Sequence, residues 1–437
     1  MGDEMDILKK ITKFEGREQR RLNFLYEYYR GNHAILAAAK PPGKPNNRLV
    51  TNFAKNIVNN TTGYFMGKPV TYKCEDDKLQ DEVNEIIKYN DDAAHNTQLS
   101  KDLSVFGRAA EILYIDNDGQ TRYAKVNPMN LIIERSSDVE REILYAIRWY
   151  DVFDDDEMRT RYIELYTAND ITYYTQTGGA PVETKKIKHY FGLVPINEYF
   201  NNDDCEGDFE SVVSIMDAYN TMQSESVNDY QAFADAYLLL RNIRIDDKTE
   251  EMLKDRRVLE TYEDGDASWL VKQVNDAYVE NIKTRLKEDI YITSNTANMS
   301  DESFSQNASG VSIAYKLMNF ENRIAVTERY FKKGLQRRFE MICNILNLKG
   351  NAYDYRDITP VFVRNIPNNV QEIVDEVTQL RGIVSKETLL SQIPFVDDVE
   401  REMQLLSDEE DQYQMNNFGR DDGEKERLLG EKNQSDI

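Results

Sequence analysis

Gly63-Tyr64-Phe65-Met66-Gly67-Lys68-Pro69 is the stretch of this chain that comes nearest to a reaction site. A glycine turn ending in lysine cradles nucleotide phosphates when four residues separate the glycines and Ser or Thr follows the lysine, whose hydroxyl ligates magnesium. Here three residues intervene and Pro69 stands where the hydroxyl belongs, which also removes a backbone N–H from the phosphate side. The stretch therefore reads as a helix C-cap and turn. Asp116-Asn117-Asp118-Gly119 opens like a calcium loop, but its twelfth position is Asn127 instead of the bidentate glutamate, so it reads as a hairpin turn. His33, His95 and His189 do not stand at ligand spacing from one another. The acidic runs Asp154-Asp155-Asp156-Glu157 and Asp203-Asp204 read as solvated loops, and no Gly-x-Ser-x-Gly elbow occurs. The expectation is a protein that is not an enzyme, with no catalytic residues, no metal and no cofactor.

The bulk properties set further bounds. The 437 residues bear a net charge of −24, which opposes any general affinity for nucleic-acid phosphates without excluding DNA that passes by. That length accommodates about three domains. Hydrophobic residues at 40% and charged ones at 30% fit a soluble globular class. Cys74, Cys205 and Cys343 are odd in number and far apart, which fits reduced thiols in a cytosol. No run of eighteen apolar residues is present, so no membrane span is expected, and the acidic start MGDEMDILKK does not read as a secretory signal. Asn-x-Ser/Thr triplets at Asn60, Asn298 and Asn307 carry no weight without secretion.

Helical patterns cover residues 3 to 39, Asn52 to Met66, Lys78 to Tyr89 and Thr97 to Phe106, broken by Pro41-Pro42-Gly43 and Gly67-Lys68-Pro69. From Arg108 to about Phe200 the apolar period changes to two, predicting one tyrosine-rich antiparallel sheet of meandering hairpins. Helix is predicted again from Asp208 to about Arg241. A mixed insert follows from Ile243 to about Lys272, then a helix from Asn275 to Thr296. The polar segment NMSDESFSQNAS, without Lys or Arg, then leads into an unbroken helical pattern to Leu348. Ile324, Phe331, Leu335, Phe339, Ile342 and Leu346 form its apolar stripe, and Arg323, Lys332, Lys333, Arg337 and Arg338 are expected on the opposite face. Such a helix spans roughly 55 Å. A strand at Val361-Phe362-Val363 and helices at Val370 to Leu380 and Lys386 to Gln392 follow, with a disordered end expected from Ser407. There is no internal repeat.

Several of these segments resemble phage portal proteins of siphophages of Gram-positive bacteria. Tyr28-Tyr29-Arg30-Gly31-Asn32-His33 and Asn46-Asn47-Arg48-Leu49-Val50-Thr51-Asn52-Phe53 are similar to that family's opening, and Gly67-Lys68-Pro69-Val70 matches its wording. Val194-Pro195-Ile196, Asp208-Phe209-Glu210 and Asp217-Ala218-Tyr219-Asn220 resemble the entry to its first stem helix. Ser309-Gly310-Val311-Ser312-Ile313 resembles the start of its long wing helix, and Val384-Ser385-Lys386-Glu387-Thr388-Leu389-Leu390 its crown.

The resemblance implies an α+β, predominantly helical portal fold. Its wing is 1–207, with the tyrosine-rich antiparallel β region, and its first stem helix is 208–241. A small mixed clip insert is 242–274, the second stem helix 275–297 and the tunnel loop 298–309. The long wing helix and following strand are 310–367, the helical crown, here short, 368–407, and the tail 408–437. It also implies a homo-oligomeric ring, usually of twelve, at one capsid vertex of the virion, assembled in the host cytoplasm. Double-stranded DNA passes through it in weak, non-specific contact during packaging and ejection. Terminase large subunit, a head-tail adaptor, scaffold and major capsid protein are the implied partners. Met299, Ser300, Asp301, Glu302, Ser303, Phe304, Ser305 and Gln306 would form the tunnel loop at the constriction. Glu280, Lys283 and Lys287 would line the stem, and Asp246, Asp247, Glu250, Glu251, Arg256 and Arg257 would face the motor and adaptor from the clip. The competing classes are a nucleotide-driven motor subunit, resting on Gly63 to Lys68, and a helical adaptor or scaffold protein without a DNA conduit.

Overall fold

The computed structural model describes residues 2–40, 42, 44–153, 158–233, 237–241, 264–270, 276–299, 310–365, 375, 377–393, 396 and 399–409. The chain divides into two compact units, one of residues 1–305 and 315–365, the other of 306–314 and 366–437.

The first unit opens with α1 (Gly2–Gly16) and α2 (Glu18–Arg30). Gly31 ends α2 at φ +99, a left-handed conformation that lets its N–H reach back to the last turn. Then come α3 (Phe53–Met66), β1 (Thr71–Lys73), α4 (Asp77–Asn90) and α5 (Asp92–Phe106). α5 starts five residues before the expected Thr97. Asp91, in the left-handed region, turns the chain directly from α4 into α5, and the first turn of α5 buries the polar side chains Asp92, His95 and Asn96, which hides the apolar pattern.

The single meandering sheet expected from the period-2 region is two sheets. One has the order β3-β2-β9, built from β2 (Arg108–Ile115), β3 (Thr121–Val126) and β9 (Ile196–Phe200). The other is a five-stranded meander of β4 (Leu131–Arg135), β5 (Ile143–Phe153), β6 (Arg159–Tyr166), β7 (Asp170–Gln176) and β8 (Val182–Lys188). The break falls at the 3-10 turn Pro128–Asn130, because proline offers no ladder donor and Asn127 caps the turn through Met129 N. The Asp116 turn is a hairpin turn: its carboxylate accepts from Asp118 N at 3.0 Å and Gln120 N at 2.9 Å, and Gly119 takes φ +76.

Among the described residues, apolar clusters join the elements of this unit. α1 lays Ile7 and Ile11 on Ile147, Trp149, Ile163 and Tyr174 of the meander, with Phe14 edge-on to Trp149 at 5.6 Å. Ala110, Val126, Leu131, Ala146, Val194 and Ile196 join the two sheets. Leu22, Leu25, Ile57, Phe106, Phe209, Met216 and Ile290 gather the helices, including α6 (Val213–Phe233) and α7 (Asp276–Thr293).

α6 stops before the expected Arg241. Tyr237-Leu238-Leu239-Leu240-Arg241 is β10, antiparallel to β11 (Asp266–Leu270). Leucine favours helix, but here ladder pairing with a second strand wins over local propensity. The expected helix at Lys248 to Asp255 and strand near Val258 lie outside the described residues. The later strand, β12, is Thr359–Val361 and pairs with β1, two residues ahead of the expected one.

The long helix is α8, Gly310–Asn347, 38 residues and about 57 Å at 1.5 Å per residue. Its stripe from Ile324 to Leu346 is buried as the periodicity predicts. Its expected polar face is not uniform. Arg338, predicted on the outside, is fully buried. Its guanidinium donates to Glu111 Oε1 and Oε2 at 2.9 and 2.8 Å, Asp92 Oδ1 at 2.8 Å and Asn96 Oδ1 at 3.0 Å, and it lies 4.5 Å above the Tyr123 ring. The stripe of apolar residues cannot reveal this, because an arginine is buried only where other elements supply its counter-charges. Arg337 is half-buried and donates to Val194 O at 3.2 Å.

In the second unit, Ser385 caps α9 (Lys386–Ser391) by accepting from Thr388 N at 3.2 Å. Residues 399–409 are helical, so Ser407 to Glu409 belong to a helix rather than the expected disordered tail. Most of Val370 to Leu380 and all of 410–437 lie outside the described residues.

Candidate functional site

α6 and α7 pack against each other, and β10, which follows α6, pairs with β11, which precedes α7. The root of this helix pair is a polar cluster. Asp208, buried at the entrance, accepts from Ser104 Oγ of α5 and from Asn201 Nδ2 at 2.8 Å, and forms an ion pair with Arg323 of α8. Arg323 Nη2 donates to Thr61 Oγ1 of α3 at 2.7 Å and to Thr296 Oγ1, beyond α7, at 3.4 Å. Thr327, one turn along α8, donates to Asn201 Oδ1 at 3.0 Å. One carboxylate and one guanidinium thus tie the start of α6 and the end of α7 to the long helix.

A second polar stripe runs along α6. Asn220, Ser224 and Asn228, at helical spacing, accept from the backbone N–H groups of Thr51, Leu49 and Asn47 at 2.8, 3.0 and 2.7 Å. Alternate N–H groups of an extended segment meet successive turns of a helix. Sequence reading missed this ladder, whose signal is the run of small polar residues at four-residue intervals in an otherwise apolar helix face. Tyr28 donates to Asp217 at 2.8 Å, and burial together with that carboxylate pushes its phenol up to about 12. Desolvation lowers His33, whose ring meets Tyr28 O and Asn220 Nδ2.

Of the residues expected to line the stem, Glu280 and Lys283 come together: Lys283 Nζ donates to Glu280 Oε1 at 2.8 Å. The Lys283 side chain is only 15% exposed and that of Glu280 67%, so the acid is the member presented to solvent. Lys287 is half-buried on the same helix. Met299 is exposed. Ser300, Asp301, Glu302, Ser303, Phe304, Ser305 and Gln306 lie outside the described residues, as do Asp246, Asp247, Glu250, Glu251, Arg256 and Arg257.

Gly63 stands inside α3, which runs to Met66, and Gly67 caps it with right-handed backbone, so the glycines form no phosphate cradle. Among the described residues no three His, Cys, Asp or Glu side chains gather as a metal site. The cleft of about 340 Å³ beside the root is lined by five asparagines with Arg323, Val326 and Thr327, and its one charged group is already paired with Asp208. No described helix is long and apolar enough to cross a membrane.

The described residues thus combine a long helix, a packed helix pair and antiparallel sheets, a mixed α+β architecture consistent with a portal fold. Residues 8–416 match the family described as phage portal protein, SPP1 Gp6-like. The chain belongs to that family. It is 26% identical over 392 residues to the portal protein of Bacillus phage SPP1, covering 85% of this chain and 77% of the relative. It is 25% identical over 440 residues to the portal protein of Clostridium phage phiCD119, covering 93% and 96%. Both relatives come from phages of Gram-positive hosts, as the sequence motifs indicated. Membership assigns the chain a structural role in the virion capsid, that of a portal through which DNA is packaged and to which the terminase docks.

Proposed function

We propose that the chain closes head to tail into a ring of twelve subunits at one capsid vertex, assembled in the host cytoplasm. Residues 208–241 and 275–297 act as its stem, 242–274 as a clip facing the terminase large subunit and then a head-tail adaptor, and 298–309 as the tunnel loop. Residues 1–207 and 310–367 make the wing and 368–407 the crown, against scaffold and major capsid protein. Within the stem, β10 belongs to the clip end, since α6 already stops at Phe233. Glu280 neutralises Lys283 held against it, so Lys287 is the one uncompensated charge of the three on the stem's channel face, and a single cation holds duplex DNA only weakly.

The observation that carries this reading is the tie of Asp208, before α6, and Thr296, after α7, to α8 through Arg323, in a chain that matches the portal family from residue 8 to 416. A head-to-tail contact that closes by rotation generates a ring. Negative-stain microscopy of the purified protein should show rings with a central hole wide enough for duplex DNA. Mass measurement that finds monomer alone, at every concentration and with scaffold present, would overturn the reading.

A further inference from the structure

β1 crosses α8 with Tyr72 edge-on to Phe339, ring centroids 4.9 Å apart. Tyr72 is buried, Lys73 exposed and Cys74 half-buried, so Cys74 returns to the face that Tyr72 presents to the helix. Phe339 and Cys343 are one turn apart on the buried face of α8. Phe65 likewise meets Phe331, so from Phe65 to Tyr72 the chain advances in the same direction as α8, and a further step of about 6.6 Å along the strand and about 6 Å along the helix brings Cys74 and Cys343 to the same level. Asp357, beside β12, acts on both thiols.

We propose that Cys74 and Cys343 are a disulfide-forming pair that locks β1 to α8 when the protein meets an oxidant. Both are free thiols in this structure. With glutathione disulfide, the Cys74 thiolate attacks one sulfur and releases one glutathione. Cys343 gives up its proton, attacks Sγ of Cys74 and releases the second. Two protein thiols become one S–S bond, and one glutathione disulfide becomes two thiols. Cys74, the less buried, takes the first step. Burial, then Cys74, pushes the Cys343 thiol up to about 12, so the neutral disulfide suits the site better than a thiolate and the reaction is slow at neutral pH. Cys205 lies apart from this pair, its carbonyl accepting from Arg21 Nη2 at 3.0 Å.

The test is incubation of the folded full-length protein with glutathione disulfide, followed by acid quench, thiol counting in denaturant and peptide mapping without reduction. The expected count falls from three to one, with a Cys74–Cys343 peptide in a single chain. C205S should retain that link, and C74S, at the half-exposed position, should lose it without unfolding. Three thiols remaining, a lasting glutathione adduct on Cys74 beside a free Cys343, or a link to Cys205 or to a second chain would each overturn the proposal.

Discussion

Arg338 is a residue whose environment contradicts its type. Burial alone would raise the Glu111 carboxyl, but the Arg338 guanidinium outweighs it and, with His95 at 2.7 Å, holds Glu111 well below the usual carboxylate range. Tyr199 and Asn197 also donate to Glu111, at 2.6 and 2.8 Å, so its oxygens are satisfied. Removing one partner of such a pair leaves a buried, uncompensated charge and costs about 3–5 kcal/mol. Arg338→Met should therefore lower unfolding stability in urea by that order, and Arg338→Met with Glu111→Gln by less than the two singles summed. The pH dependence has a defined direction. An unfolded Glu titrates near about 4.3, and above that value both states are ionised and the stabilisation is complete. As pH falls below it, the unfolded chain takes up a proton that folded Glu111 refuses, and stability drains away until the folded carboxyl itself is protonated. Glu111→Gln should be less stable at neutral pH and lose less on acidification, which thermal melts across the acid range will read.

The elements differ in how openly the sequence declares them. The stripe of α8 was legible because it repeats locally with a helical period, and the Asp116 hairpin because its turn chemistry is complete in four residues. Arg338 was not legible: its partners come from α5 and β2, more than 220 positions away. The ladder on α6 was hidden for the same reason, since its acceptors serve backbone groups of residues 47–51. The strand Tyr237–Arg241 was misread because Leu-rich runs favour helix until a partner strand competes. Gly334 is a further case that sequence leaves unexplained. It sits in mid-helix, where glycine costs about 1 kcal/mol relative to alanine, yet a Cβ there would collide with the Tyr199 ring of β9. Asn197 Nδ2 also donates to Gly334 O at 2.8 Å, so side chains of the strand rest directly on the helix backbone. Gly334→Ala should destabilise despite its better propensity, by about 1–3 kcal/mol; an increase in melting temperature would mean that β9 yields easily.

At the scale of the whole molecule, charge decides what a conduit can do. A chain of net charge −24, multiplied around a ring, repels the duplex, and each phosphate contact made by a cation would add affinity through counterion release and act as friction. The segment 298–309 carries Asp301 and Glu302 and no cation, with Met299 and Phe304 as apolar members. As the tunnel loop it would keep DNA centred by repulsion and steric contact. Asp301→Lys with Glu302→Lys reverses the charge without touching the root at Asp208 and Arg323, so rings should still form in the microscope. Packaging by the terminase should slow at low salt and recover as salt rises, because the Debye length shrinks from about 30 Å at 0.01 M to about 8 Å at physiological strength. Rates equal to wild type at both salt concentrations would mean that these residues do not meet the DNA, and the constriction would then have to be sought along α7, where Glu280 and Glu288 are exposed acids.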